Sequence, residues 1–151
     1  MGRQFGRNQI NKMMKHVLVD TSVWIDFFNA KTTSPEAELL QQLIENNHII
    51  YICPVIYQEL LQGIRDDGTF EDIKNILCDF NMLKFNIMEV TDTAIEIYRK
   101  LRKAGITIRK SNDCLIASYA ILGDVYLLYK DRDFKEIAKQ FKLNILNLIT
   151  L

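Results

Sequence analysis

Acidic side chains follow two apolar runs that are typical of buried strands. Asp20 directly follows the run at residues 17–19, and Asp131 comes two residues after the run at residues 125–129. In open α/β folds, ligands bind outside the carboxyl ends of the strands, so chemistry is expected at both positions. If the two strands are neighbours, both carboxylates project from the same end of the sheet.

Two further carboxylates are predicted to reach the same edge from helices. Asp113 falls in the first turn of a helix predicted to begin at Ser111, and Glu59 lies one or two turns into the helix that follows the second predicted strand. Helices that connect parallel strands begin at the carboxyl edge of the sheet. Four carboxylates can therefore converge at one edge.

Each of these carboxylates also has a purely structural explanation. Asp20 is suited to N-cap the helix that follows it, and Asp113 is a favourable charge in the first turn of its helix. Asp131 is a common turn former, and Glu59 is one surface residue of its helix among several. The residues alone leave both interpretations open, and the decision depends on whether other carboxylates arrive at the same edge.

Alternating strand-like and helix-like segments must position these side chains. Short apolar runs predict five strands, at residues 17–19, 49–53, 87–90, 125–129 and 143–148. Capping signals and helical periodicity predict helices that begin near Val23, Pro35, Pro54, Thr69, Thr91, Ser111 and residue 133, with Ser34 or Thr33 as the cap of the second. The pattern predicts a single α/β domain with a central, mostly parallel five-stranded sheet flanked by helices.

Composition narrows the class of protein. The 151 residues include 19 basic and 19 acidic side chains, so the net charge is zero and gives no argument for nucleic-acid or membrane binding. Three cysteines without C-x-x-C spacing and two histidines indicate a reducing, cytoplasmic setting and argue against a zinc site. No apolar run approaches the length of a membrane span. Residues 1–13 are interpreted as a disordered or appended arm, and residues 14–151 as the domain.

Four segments carry a resemblance to a known family. They are V-L-V-D-T-S-V-W-I-D at residues 17–26, Y-Q-E-L-L-Q-G at 57–63, N-D-C-L-I-A-S-Y-A at 112–120 and L-L-Y-K-D-R-D-F at 127–134. In this order and at these intervals, they resemble the PIN-domain ribonucleases, and most closely the VapC-type toxins of toxin–antitoxin pairs. The resemblance extends from Met14 to the C-terminus.

The resemblance implies a metal-dependent endoribonuclease with a five-stranded parallel sheet. The residues that match the family's four acidic positions, and are therefore its expected catalytic residues, are Asp20, Glu59, Asp113 and Asp131. Asp20 and Asp113 are the expected metal ligands, and Asp133 could replace or assist Asp131. Carboxylate oxygens suit Mg²⁺ or Mn²⁺, which keep several waters and bind substrate phosphates. The resemblance also implies a homodimer, and an antitoxin whose C-terminal segment covers the site.

A basic segment offers contacts to the phosphates of an RNA substrate. Its members form a local excess of positive charge on a neutral protein: Arg99, Lys100, Arg102, Lys103, Arg109 and Lys110. The alternative is a solvated helix face without a ligand. Thr21 and Ser22 could orient a carboxylate or a phosphate, or only cap the following helix, and Trp24 is interpreted as a core residue.

Other classes of protein with acidic residues at the edge of a parallel sheet fit less well. A phosphorelay receiver domain requires an acceptor aspartate after the third strand and a lysine after the fifth, and neither is found at those positions. A dehalogenase-type phosphatase requires D-x-D after the first strand, where this chain has D-T-S. A non-catalytic scaffold that retains the fold is the remaining alternative, which metal and activity measurements would distinguish.

Overall fold

A computed structural model describes residues 13–147 of the chain. Strands and helices follow in the order β1 (His16–Val19), α1 (Thr21–Phe28), α2 (Pro35–Glu45), β2 (Ile49–Ile52), α3 (Pro54–Gln62), α4 (Asp67–Leu77), β3 (Asn81–Met82), α5 (Ile87–Lys103), α6 (Ser111–Gly123), β4 (Tyr126–Leu128) and α7 (Asp133–Gln140). Apart from Met13, the arm predicted at residues 1–13 lies outside the described residues.

The strands form one parallel sheet in the order β3-β2-β1-β4. Residues 17–19 of β1 are completely buried, as expected for a central strand of a sheet covered on both faces. Because β1 pairs with β4, the strands that precede Asp20 and Asp131 are neighbours. Asp20 and Asp131 therefore follow neighbouring strands at the same edge of the sheet, as the sequence analysis requires for their carboxylates to meet.

The strand predicted at residues 87–90 is wrong, because these residues form the first turn of α5. The deciding residue is Asn86, whose side-chain oxygen accepts hydrogen bonds from the backbone N–H groups of Met88 (2.9 Å) and Glu89 (3.4 Å). Asn86 therefore caps α5, and Thr91 does not. The third strand is instead the two-residue β3, which is too short to leave a pattern in the sequence.

The strand predicted at residues 143–148 is also wrong, since the sheet has four strands within residues 13–147. Ile145 makes a single parallel bridge to Leu127 and the pairing does not continue. The buried side chains here are Leu143 and Leu146, and a spacing of three residues does not match the two-residue period of a strand. Leu148 lies outside the described residues.

Most helix starts agree with the sequence to within two residues. Ser34 rather than Thr33 caps α2, since its hydroxyl accepts a hydrogen bond from the Ala37 N–H at 3.1 Å. The start of α4 precedes Thr69, because Asp66 caps the helix by accepting from the Thr69 N–H at 2.7 Å. Gly105 follows α5 with φ +79°, the left-handed conformation in which glycine commonly ends a helix.

Trp24 anchors α1 in the core, as predicted. It is fully buried, and its ring lies 5.0 Å from that of Phe80 and 5.6 Å from that of Phe28, measured between centroids. This packing fixes the start of α1, and with it the turn that carries Asp20. Among the helices of the described region, none is long and apolar enough to cross a membrane.

Candidate active site

Asp20 occupies the turn between β1 and α1 and is only 4% exposed. Its backbone N–H donates to the Leu128 carbonyl of β4 at 2.9 Å, which fixes the turn against the neighbouring strand. Its carboxylate accepts hydrogen bonds from the Ser22 hydroxyl (2.6 Å) and the Ser22 N–H (3.4 Å), so Asp20 does cap α1. Burial raises the pKa of Asp20 above its ordinary value, the hydrogen bonds from Ser22 oppose this rise, and the charge of Glu59 adds to it.

Glu59 reaches the same edge from α3, where two side chains hold its carboxylate. The Thr21 hydroxyl donates to Oε2, and the Asn112 amide donates to Oε1 at 2.8 Å. Residues at the starts of α1 and α6 therefore fix one carboxylate on α3. Asn112 was not singled out in the sequence, where its only signal is its place directly before Asp113.

Asp113 lies in the first turn of α6 and is 5% exposed. Burial raises the pKa of Asp113 to about 7, with smaller contributions from the negative charges of Asp20 and Asp131. Within the described residues, its Oδ2 atom is buried and has no hydrogen-bond partner. Buried polar atoms without a partner are rare in folded proteins, and a bound cation would satisfy this one.

We use the name acidic cluster for Asp113, Asp131 and Asp133. Each contributes one carboxylate oxygen to a group in which all these atoms lie within 4.8 Å of one another. The Asp131 carboxylate also accepts a hydrogen bond from the Asp133 N–H at 3.0 Å, which links the last two members. Three convergent carboxylates are the hard oxygen ligands that Mg²⁺ and Mn²⁺ prefer, so these residues fit such an ion.

The acidic cluster differs in two respects from the set predicted from the sequence. Asp133 belongs to it together with Asp131, so both candidates for the fourth acid lie at the site. Asp20 is not among its three members, although its charge raises the pKa of Asp113. The assignment of Asp20 and Asp113 as metal ligands therefore stays a prediction.

Two residues of the predicted basic segment pair with the acidic cluster. The Arg109 guanidinium lies 2.9 Å from Asp131 Oδ1 and 3.6 Å from Asp133 Oδ2. The Lys110 ammonium lies 3.9 Å from Asp131 Oδ2. Both cations are largely exposed and lie at the edge of the acidic cluster.

The other basic residues lie on α5 and fall into two kinds. The Lys100 ammonium donates to the Gln140 carbonyl at 3.2 Å and lies 4.8 Å from the centre of the Phe141 ring, while Arg102 lies over the Tyr98 ring. By contrast, two cations are exposed and have no polar partner within the part of the chain that the structure describes, namely Arg99 and Lys103. The basic segment is therefore not one uniform surface.

The two buried cysteines are unsuited to act as nucleophiles. Burial raises the pKa of Cys53 to about 12 and that of Cys114 to about 11, so both thiols are protonated at neutral pH. A thiolate is the form that attacks a substrate. Neither buried cysteine is therefore a candidate nucleophile.

Comparison with known proteins identifies the class of protein that this fold and site define. A sequence model of the PIN domain matches residues 17–140. The VapC ribonuclease Mb1587 of Mycobacterium bovis and ribonuclease VapC11 of Mycobacterium tuberculosis are each 35% identical over 125 residues, which cover 82% of this chain and 92% of the relative. Ribonuclease VapC1 of Methanocaldococcus jannaschii is 29% identical over 139 residues, 92% of this chain and 93% of that protein.

Solved structures share the fold at lower sequence identity. VapBC2 from Rickettsia felis, bound to a DNA fragment from its promoter, matches with a TM-score of 0.68 at 21% identity and covers 87% of this chain and 97% of that one. VapBC-1 from nontypeable Haemophilus influenzae matches with a TM-score of 0.67 at 20% identity, over 87% and 96% of the two chains. The chain therefore belongs to the PIN-domain family, in its VapC branch, and the resemblance found in the sequence is confirmed.

Proposed function

We propose that this protein is a Mg²⁺- or Mn²⁺-dependent endoribonuclease and the toxin of a toxin–antitoxin pair. The observation that carries the proposal is the meeting of carboxylates from separate elements at one edge of the sheet, with one buried oxygen of Asp113 left without a partner. The relatives at 35% identity are named as ribonucleases, which supports RNA as the substrate class.

The acidic cluster would hold the ion, and Asp20, which is predicted together with Asp113 as a metal ligand, would add its negative charge to the site. A bound Mg²⁺ or Mn²⁺ lowers the pKa of a coordinated water and stabilises the charge that develops on the phosphate oxygens. The raised pKa values of Asp20 and Asp113 favour the neutral carboxyl groups in the protein alone. A nearby positive charge favours the ionised form of both.

Glu59 would orient a water or accept its proton. Hydrogen bonds from Thr21 and Asn112 hold both of its oxygens, so its orientation is fixed before any substrate arrives. Fixed groups at a reacting centre lower the cost of reaching the transition state. We therefore retain Asp20, Glu59, Asp113 and Asp131 as the proposed catalytic residues and add Asp133 to them.

RNA cleavage by the purified protein tests this proposal. Cleavage should require Mg²⁺ or Mn²⁺, stop in EDTA and return when either ion is added. Asp113→Asn should be inactive, whereas Glu71→Gln, which removes an exposed charge from α4, should cleave like the wild type. Sequencing the 5′ ends of RNAs that appear on induction, with Asp20→Asn as the control, would identify the target.

Persistent cleavage in EDTA would exclude the metal mechanism. RNA binding without cleavage in either metal would favour the non-catalytic scaffold instead. Both results are distinct from a folding defect, which far-ultraviolet circular dichroism detects independently.

The proposed partners are an antitoxin and a second copy of the chain. The solved neighbours include a toxin–antitoxin complex from Klebsiella pneumoniae and VapBC-5 from Mycobacterium tuberculosis, a member of the VapBC family of toxin–antitoxin systems. Large exposed apolar side chains are Ile87, Met88 and Ile95 on α5, and surfaces of this kind mark protein contacts. We place the protein in the cytoplasm, together with its proposed RNA substrate. Light scattering of the purified protein would test the dimer, and a monomer at all concentrations would contradict it.

A further inference from the structure

Arg109 lies against two of the three members of the acidic cluster. Its Nη2 atom is 2.9 Å from Asp131 Oδ1, its Nε atom is 3.6 Å from Asp133 Oδ2, and its backbone N–H donates to the same Asp133 oxygen at 3.2 Å. The Arg109 side chain is 56% exposed, whereas those of Asp131 and Asp133 are 14% and 9% exposed. The exposed side chain of Arg109 thus covers two nearly buried carboxylates.

The hydrogen bonds of Arg109 use one oxygen of each of two carboxylates in the acidic cluster. Asp131 Oδ1 accepts from the guanidinium and from the Asp133 N–H, and a carboxylate oxygen has about two lone pairs to offer. Asp133 Oδ2 accepts from the Arg109 N–H and faces Nε. In contrast, Asp113 Oδ2 has no partner within residues 13–147. One member of the cluster is therefore free, and the other two are engaged by Arg109.

Binding of a divalent ion to the acidic cluster would be unfavourable while the Arg109 guanidinium stays in its present position. Two positive charges a few ångströms apart repel each other, and they would compete for the charge of the same two carboxylates, Asp131 and Asp133. The side chain of Arg109 lies in the connection between α5 and α6 and is largely solvent-exposed, so it can leave the carboxylates without disturbing the core.

We propose that Arg109 is an exchangeable counter-cation of the acidic cluster, which pairs with Asp131 and Asp133 in the metal-free protein and is displaced when Mg²⁺ or Mn²⁺ binds. This inference rests on the proposed function. The displaced guanidinium remains beside the site, and its planar fork of donors matches a phosphodiester group. Metal binding would in this way release a ligand for the phosphate of the RNA.

The alternative is that Arg109 orients the two carboxylates and assists metal binding. The two roles predict opposite changes in metal affinity when Arg109 is replaced. Arg132 provides a matched control, because it lies between Asp131 and Asp133 in the sequence, is exposed, and makes no side-chain ion pair within the described residues.

The test is a titration of the metal-free protein with Mn²⁺, in which electron paramagnetic resonance reports the free ion. Arg109→Gln should bind Mn²⁺ about two- to tenfold more tightly than the wild type, the range expected from the loss of one or two partly exposed ion pairs. Arg132→Gln removes the same charge and should stay within about twofold of the wild type. Arg109→Lys, which keeps the charge without the fork, should fall between wild type and Arg109→Gln.

Weaker or unchanged Mn²⁺ binding by Arg109→Gln would overturn the inference and leave the proposed function intact. If no variant and no wild-type protein bound Mn²⁺, the proposed metal mechanism would fail, and the inference with it. A second measurement uses the wild type and so does not depend on the folding of a variant. The nuclear magnetic resonance signal of the Arg109 Nε–H should shift on saturation with Mg²⁺. A signal that stayed unchanged would also overturn the inference.

Discussion

At the scale of single residues, the burial of Asp113 makes the metal-free protein sensitive to pH. Its pKa is raised to about 7 in the folded chain, against about 3.9 for an unfolded aspartate. Between these values the folded state binds more protons than the unfolded state, so stability is highest below about pH 4 for this group and is lost as the pH rises to about 7. The shift in the pKa of Asp20 has the same direction and acts in the same sense.

Asp113→Asn should therefore be at least as stable as the wild type at pH 8 in EDTA, and its stability should depend less on pH. Thermal melts from pH 5 to pH 8 measure both. Asp67→Asn is the matched control, because Asp67 is an exposed charge in the first turn of α4 and its loss should cost about 0.3–1 kcal/mol. If Asp113→Asn lowered the melting temperature as much as Asp67→Asn does, Asp113 would act only as a favourable charge in the first turn of its helix.

Asn112 is expected to affect cleavage through Glu59. Replacing it by Ala removes one of the two hydrogen bonds that fix the Glu59 carboxylate, an interaction of about 0.5–1.5 kcal/mol. The single-turnover cleavage rate of Asn112→Ala should fall by up to about tenfold, less than for Glu59→Gln. Gln58→Ala is the control, since within residues 13–147 the Gln58 side chain bonds only to Gln62, on the exposed side of α3. An equal loss in both variants would refute the positioning role.

At the scale of elements, the start of α5 depends on Asn86 rather than on Thr91. Asn86→Ala should lower the free energy of unfolding by about 1 kcal/mol, the usual cost of losing an N-cap. Thr91→Ala should change it by only a few tenths, because Thr91 lies inside the helix and donates to the Ile87 carbonyl. Urea denaturation of both variants measures the difference, and the reverse order would show that Thr91 contributes more than Asn86 to the start of α5.

The face of α5 also carries the predicted contact with RNA. Arg99→Ala and Lys103→Ala should each reduce the slope of binding affinity against salt concentration by up to about one, because both cations are free to meet phosphates. Lys100→Ala should have a smaller effect, since its ammonium already binds the Gln140 carbonyl and the Phe141 ring. Arg102→Ala completes the set. If the salt dependence of RNA binding were unchanged in all four variants, this face of α5 would be only solvated.

At the scale of the whole molecule, metal binding and folding should be linked. Repulsion among the carboxylates destabilises the metal-free protein, and an ion that binds only the folded state stabilises it. Saturation with Mg²⁺ at a hundred times the dissociation constant should add about 2.7 kcal/mol to the stability of the wild type. Asp113→Asn should gain much less. Thermal melts with EDTA and with Mg²⁺ give both values, and a wild type that does not respond to Mg²⁺ would contradict the proposed site.

Local signals in the sequence are enough to locate most elements and to single out all five acids of the candidate site, Asp133 included. An apolar run followed by D-T-S predicts a strand, a turn and a helix at residues 17–28, and Pro35 and Pro54 mark helix starts because proline suits the first helical position. Each of these signals acts between residues close in the chain. They fail at residues 87–90, since a short apolar run suits a buried strand and a helix start equally well.

Contacts between distant parts of the chain were decided only by the tertiary structure. The pairing of β1 with β4 brings Asp20 and Asp131 to one edge, and the packing of α3 against α6 brings Asn112 to Glu59, 53 residues earlier. Arg109 likewise meets Asp131 across 22 residues, in an ion pair with the acidic cluster that the sequence does not predict. Such contacts depend on how the elements pack, and no local pattern of residue types records that packing.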